Sequence, residues 1–220
     1  MLSYNSWLGK AVEFVVSSFG KITWCGPRAL FNGGLYYDLT ESDHEQLRKL
    51  LAENYYIILI YRKAHLSSYM VGLANLVKTG KWTSYSHSLM NVDNVNDPAA
   101  WEKFKLMEAT QTGVHWSTFM QVFDCDSVCL LRPKNMQPDD WKAVIDGLLK
   151  QEGLPYDDLF ELSDATHVSC VELILNALKA LPDYKEKFPA FDAAIQKVGN
   201  LTPQMYRDCP DFEVVLEIKR

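Results

Sequence analysis

Apolar and polar positions follow two periods along this chain, and the places where one gives way to the other mark its elements. "TESDHEQLRKLLAEN" (40–54) carries Leu47, Leu50 and Leu51 on one helical face, with Ser42 and Glu45 at capping-box spacing. "YYIILIYR" (55–62) is a short apolar run rich in isoleucine, the pattern of a buried strand. "SSYMVGLANLVKTG" returns to the helical period and stops at Gly80, a residue suited to a left-handed helix end. "SYSHSLMNV" (84–92) predicts a strand and "NVDNVNDPAAW" an exposed polar loop. "KLMEATQTGVHWSTF" and "FMQVFDCDSVCLLRP" predict further strands joined by a turn at Gly113. After Pro133, "PDDWKAVIDGLLKQEG" is a helix with aspartates in its first turn and a glycine end. "LPYDDLFELSDATH" is polar connecting chain, and "DFEVVLEIKR" alternates as a final strand. The order is helix and strand, then a β-rich middle, then helices, which is an α+β pattern. No repeat or linker divides it, so the expectation is one domain over 1–220, with 1–50 as an N-terminal helical extension.

Composition narrows the class. With 220 residues, 48% hydrophobic, the chain can bury a sizeable core. The net charge of −6 comes without any basic block, which excludes an electrostatic footprint for nucleic acid or an anionic membrane. Leu8, Val12, Val15 and Phe19 recur at helical spacing near the start, where Glu13 and the missing basic residues argue against a signal peptide. The longest apolar run, "YYIILIY", is too short to span a bilayer. These features set the expectation of a cytoplasmic protein without a membrane span, with delivery to a cell wall left to another factor or a virion. Five widely spaced cysteines, an odd number, suit a reducing compartment better than a disulfide framework. Cys125 and Cys129 fall on a predicted strand, roughly 13 Å apart, with no second Cys/His pair at zinc spacing, so no metal or cofactor is expected.

One cysteine stands apart. In "THVSCVELILNAL" (166–178) Ser169 and Glu172 have capping-box spacing, which sets Cys170 at the first position of a helix whose buried stripe is Val171, Ile174, Leu175 and Leu178. A thiol there faces unpaired backbone N–H groups and the positive end of the helix dipole, and both favour thiolate. Two readings stand side by side: a small buried hydrophobe, and a nucleophile that needs a base from elsewhere. Five histidines offer one. His44 lies on a charged helix and is expected to be solvated. His65 sits at a strand-to-helix junction, His167 at the edge of the cysteine's own helix, His115 on a strand face, and His87 on a short strand flanked by serines.

The order of "GKWTSYSHSLMNV", "LMEATQTGVHWSTF" and "PYDDLF…HVSCVELI" resembles the circularly permuted, papain-fold amidases related to NlpC-type cell-wall peptidases, the YiiX-like group. The lead-in "YYIILIYRKAHLSSYMVGLANLVKTG" and the ending "NLTPQMYRDCPDFEVV" resemble that group as well, so the likeness spans roughly residues 55 to 215. In papain-like enzymes of ordinary topology the cysteine precedes the histidine; here the histidine comes first, as the permuted order requires.

That resemblance implies an antiparallel sheet packed against helices, with Cys170 as nucleophile at a helix N-terminus, His87 as its base, Glu108 as the carboxylate orienting the imidazole, and Tyr156 near the oxyanion. The chain departs from the group at Val171, where serine is common, and in the stretch "DNVNDPAAWEKFK", expected to shape a substrate cleft. The implied function is a cysteine hydrolase cleaving an amide bond in a peptide or bacterial cell-wall peptide. Two alternatives stay open. One is an acyltransferase or lipid hydrolase of the lecithin–retinol acyltransferase type, although the Asn-Cys-Glu-His segment usual there is absent. The other is a non-catalytic binding or structural protein on the same scaffold.

Overall fold

A computed structural model of the chain describes residues 38–63, 65–93, 97–157, 166–198 and 201–220. The expected N-terminal helix and Cys25, and most of the connecting chain before Thr166, lie outside them.

Six strands form one antiparallel sheet: β1 Ile57–Tyr61, β2 His87–Asn91, β3 Leu106–Thr110, β4 Gly113–Ser117, β5 Ser127–Pro133 and β6 Phe212–Lys219, in the spatial order β4-β3-β2-β1-β5-β6. β1 is central and every one of its residues is buried, because both faces of the sheet are covered. Alternation along it feeds two cores. Ile57 and Leu59 join Met90, Met107, Cys129 and Leu131 on one face. Ile58 and Ile60 join Leu89, Leu106, Val128 and Leu130 on the other.

Helix α1 (Glu41–Glu53) covers the second face with Leu47 and Leu51. Its cap is not Ser42 with Glu45 but Thr40 with Asp43, a reciprocal pair two residues earlier that also leaves Glu41 in the favourable first turn. His44 is buried rather than solvated, and its Nε2 lies 3.1 Å from the Phe123 carbonyl oxygen. It shares the inward face with Leu47 and Leu51 at i, i+3 and i+7, which outweighs its charged neighbours in sequence.

Helix α2 (Leu66–Thr79) follows β1 and ends at Gly80, whose φ of +73° closes the helix in the left-handed region. The polar stretch after β2 holds a 3₁₀ turn, Pro98–Lys103, started by Asp97 accepting from the Ala99 N–H and by proline at its first position. "FMQVF", expected to extend a strand, is instead helix α3 (Phe119–Phe123). Thr118 and Gln121 cap it reciprocally, and Phe119, Val122 and Phe123 make its apolar face. Cys125 consequently precedes β5 in an irregular segment, and the two cysteines belong to opposite cores.

Helices α4 (Asp140–Leu149) and α5 (Cys170–Leu178) pack against the first face, joined by α6 (Tyr184–Lys187), α7 (Pro189–Val198) and α8 (Pro203–Asp208). α5 is buried well beyond its expected stripe: Leu173, Ala177 and Glu172 are inside as well, because the helix lies between the sheet and its neighbouring helices. Each fully buried leucine or isoleucine there is worth about 1.5–3 kcal/mol relative to exposure. Among the described residues no helix is long and apolar enough to cross a membrane.

Candidate active site

The cap of α5 fixes the thiol. Ser169 is extended (φ −78°, ψ 167°), its hydroxyl accepts from the Glu172 N–H, and Glu172 Oε2 takes the Ser169 N–H at 2.9 Å and its hydroxyl at 2.5 Å. The first two carbonyls of the helix are held from outside it. Ser88 Oγ on β2 donates to the Cys170 oxygen at 2.9 Å, and the buried Tyr206 hydroxyl on α8 donates to the Val171 oxygen at 2.7 Å. Cys170, 4% exposed, is therefore seated by β2, by α8 and by its own cap.

Strand register assembles the polar partners. Glu108 on β3 lies opposite Leu89 of β2 on one side and opposite His115 of β4 on the other. His87 and Ser117 are its diagonal neighbours, at a separation that long side chains can bridge. His87 Nε2 donates to Glu108 Oε2 at 2.7 Å, and the Ser117 hydroxyl donates to Oε1 through a short hydrogen bond. The His115 ring sits 3.8 Å from Oε1 through its Nε2. His87 is the first residue of its strand, at the end of β2, near enough to Cys170 for its charge to act on the thiol. With Nε2 committed to Glu108, Nδ1 is the nitrogen left for sulfur.

The electrostatics follow from that packing. Burial alone would raise the Cys170 pKa; the charge and hydrogen bond of His87, then hydrogen bonds from Ser88, bring it below the ordinary thiol value. Burial alone would lower that of His87, but the thiolate and then Glu108 raise it to about 9. Burial works against the Glu108 carboxylate too, and the bonds from His87 and Ser117 nonetheless hold it down to about 2. The other described cysteines go the opposite way. Burial pushes Cys125 and Cys129 up to about 12 and Cys209 to about 11. A thiolate and an imidazolium stabilising each other, with a carboxylate behind the ring, can attack an electrophilic carbonyl.

Of the residues singled out in the sequence, Cys170, His87 and Glu108 come together. Tyr156 is half-buried and packs against the core that contains Cys170. Its segment is strapped to β4, since Val114 N–H donates to the Leu154 oxygen at 2.9 Å and Gly153 N–H to the Val114 oxygen at 3.0 Å. His115 stands beside Glu108, as above; His65 is the N-cap residue of α2, where burial and then the charges of Arg62 and His87 lower its pKa, and His167 Nδ1 lies 3.0 Å from Thr166 Oγ1. Ser88, Ser117 and Tyr206 were not singled out. Strand alternation could have found the two serines, one beside His87 and one two positions along from His115; nothing in the sequence marks Tyr206.

A cleft of about 610 Å³ opens at Ser117, lined also by Glu102, Lys103, Lys105, Trp116 and Thr118; Cys170, His87 and Glu108 do not line it. Part of the polar stretch between β2 and β3 forms its wall, and Ser117 belongs both to the cleft and to the bond with Glu108.

Comparison with protein-family models gives no match, and comparison with curated proteins gives none. Among solved structures the fold is similar to the crystal structure of the metalloprotein YiiX from Escherichia coli O157:H7, with a TM-score of 0.51 at 17% identity, over 76% of this chain and 97% of that one.

Proposed function

We propose that the chain is a cysteine hydrolase that cleaves an amide bond in a peptide or a bacterial cell-wall peptide, on a permuted papain-like scaffold of the YiiX-like group, with Cys170 as nucleophile, His87 as acid and base and Glu108 as the orienting carboxylate. The observation that carries this reading is the imidazole of His87, held by Glu108 at 2.7 Å and near enough to act on a thiol at the first position of a helix. The Cys170 thiolate attacks the carbonyl carbon, and the C–O π electrons move onto oxygen. In this scheme a backbone N–H at the start of α5 donates a hydrogen bond to that oxyanion. His87 gives its proton to the departing amine as the C–N bond breaks, leaving a thioester. The now neutral imidazole takes a proton from water, hydroxide adds to the thioester, and the acid leaves as the thiolate is restored. Tyr156 stays with the oxyanion in this scheme through the resemblance alone.

The neighbouring fold is that of a metalloprotein. Among the described residues no group of three or more His, Cys, Asp or Glu side chains is set to hold a metal ion. No step is routed through one.

The test is selective alkylation by iodoacetamide at pH 7 with peptide mapping, followed by assay of synthetic wall-type and ordinary peptides. Cys170 should react ahead of the other cysteines, and Cys170→Ala should abolish both that reaction and any hydrolysis. Hydrolysis surviving in Cys170→Ala, or parent labelling no faster at Cys170 than at Cys209, would falsify the proposal.

A further inference from the structure

Glu108 can orient His87 only if its own carboxylate is prevented from turning, and the contacts around it name what does this. Three groups face the carboxylate besides His87: the Ser117 hydroxyl, the His115 ring and, at longer range, the positive charge of Arg62. Arg62 is occupied with the carbonyl oxygens of Gln121, Val122 and Asp124, and acts on Glu108 through charge alone. His115 is spoken for as well. Its Nδ1 donates to the Gly113 carbonyl at 2.9 Å, so in the neutral ring Nε2 carries a lone pair and has no proton to give. At 3.8 Å that nitrogen is also beyond hydrogen-bond length from Oε1. Ser117 is different in kind. It is buried on β4, diagonal to Glu108, and its hydroxyl bonds the oxygen that His87 does not use. It also lines the cleft.

We infer that Ser117 is a positioning residue: its hydroxyl pins Glu108 Oε1, which turns Oε2 toward His87 Nε2 and holds the imidazole in line with the Cys170 thiol. The inference rests on the proposed thiol chemistry, in which the imidazole must present a fixed edge to sulfur. Without the hydroxyl, Oε1 keeps only the His115 ring at 3.8 Å, too long for a hydrogen bond, and the carboxylate is free to turn away from His87. A carboxylate that wanders leaves the ring free to leave the thiol.

Three variants of the full chain separate this from a packing role: Ser117→Ala, Ser117→Thr and His115→Asn. Two measurements apply to each, the iodoacetamide rate at Cys170 between pH 5 and 9, and the low-field proton resonance of His87 Nε2–H bonded to Glu108. Ser117→Ala should slow alkylation at pH 6 by about tenfold and lose the low-field proton while the protein stays folded at the assay temperature. Ser117→Thr, which keeps the hydroxyl, and His115→Asn should both stay within about twofold of the parent and retain the proton. An intact low-field proton in Ser117→Ala, or loss of it in a folded Ser117→Thr, overturns the inference. The resonance reports on Glu108 and His87 whether or not the protein hydrolyses anything. Failure of the enzymatic proposal would show separately, as a parent whose Cys170 is unreactive while the resonance still depends on Ser117.

Discussion

Ser88 Oγ donates a 2.9 Å hydrogen bond to the Cys170 carbonyl, so the residue that follows the candidate base also anchors the residue carrying the candidate nucleophile. Strand alternation makes this work. His87 and Ser88 point to opposite sides of β2, yet both reach Cys170, one at the sulfur and one at the backbone. The dipeptide therefore ties β2 to both ends of the candidate pair. Ser88→Ala should destabilise the fold by about 1 kcal/mol, measured by urea unfolding, and slow Cys170 alkylation several-fold even where the fold persists.

The pH dependence of thiol reactivity follows from the opposed shifts. Cys170 ionises below the ordinary thiol value and His87 keeps its proton up to about 9, so the thiolate–imidazolium pair exists between those two limits. Alkylation should already be fast at pH 6 to 7 and change again as the imidazolium deprotonates near pH 9. In His87→Ala, burial is left without its counter-charge, and the onset should move above pH 9. An unchanged onset in that variant would show that the imidazole does not set the thiol's ionisation.

Glu108→Gln keeps an acceptor for His87 but removes the charge. His87 should lose part of its elevation, which narrows the ion-pair window from the alkaline side. Stability gives an independent reading. Glu108 is depressed to about 2 in the folded protein from an ordinary value of 4.5, so its contribution is complete above pH 4.5 and is lost as pH falls toward 2. The parent should therefore lose on the order of 2 kcal/mol over that acid interval that Glu108→Gln does not lose, by chemical denaturation at matched pH.

Local patterning made most of this fold legible. The run at 55–62, the glycine stop at 80 and the Ser169–Glu172 cap each specify their element with residues only a few positions apart. The same is true of the cysteine's place at the head of its helix. What was hidden depends on pairing across the sheet. His44 reads as a solvent residue until Leu47 and Leu51 are seen on the same buried face. "FMQVF" reads as a strand because phenylalanine and valine favour one, until Thr118 and Gln121 are recognised as a cap. That Glu108 lies between His87 and Ser117 is a matter of register, set by how β2, β3 and β4 align. The stretch between β2 and β3 does not obstruct that register; its 3₁₀ turn leaves the sheet and helps wall the cleft.

A pair of carboxyl groups lies at the start of α5. Glu172, the residue that closes the cap with Ser169, faces the fully buried Asp157; burial, working against its bonds from Ser169, and then Asp157 raise the Glu172 pKa to about 7. A folded value above the ordinary 4.5 means the protonated form is favoured on folding. That contribution is complete below pH 4.5 and is lost as pH rises through 7. Glu172→Gln can still accept from Ser169 and can donate to Asp157 at every pH. The variant should keep the stability that the parent loses between pH 5 and 8, a difference on the order of 2 kcal/mol. Should the two proteins show parallel pH–stability curves, Glu172 does not titrate as described.

The strap that carries Tyr156 depends on one glycine. Gly113 opens β4 at φ +93°, a region costly for any residue with a Cβ, and a Cβ there would meet the Leu154 carbonyl oxygen at 2.6 Å. That oxygen is the acceptor for the Val114 N–H, so it cannot withdraw without breaking the bond that ties the segment to the sheet. Gly153 is the internal comparison: its φ is +80°, but a Cβ would enter open space. Gly153→Ala should therefore show backbone strain alone, about 1 kcal/mol, while Gly113→Ala adds the clash and should reach about 2–3 kcal/mol. Amide exchange at Val114 locates the difference. In Gly113→Ala that proton should exchange faster relative to the β3 amides, and in Gly153→Ala it should not. Equal losses in the two variants, with Val114 still protected, would mean that the strap yields to the methyl group without leaving β4, and that the hold on Tyr156 comes from its packing against the core.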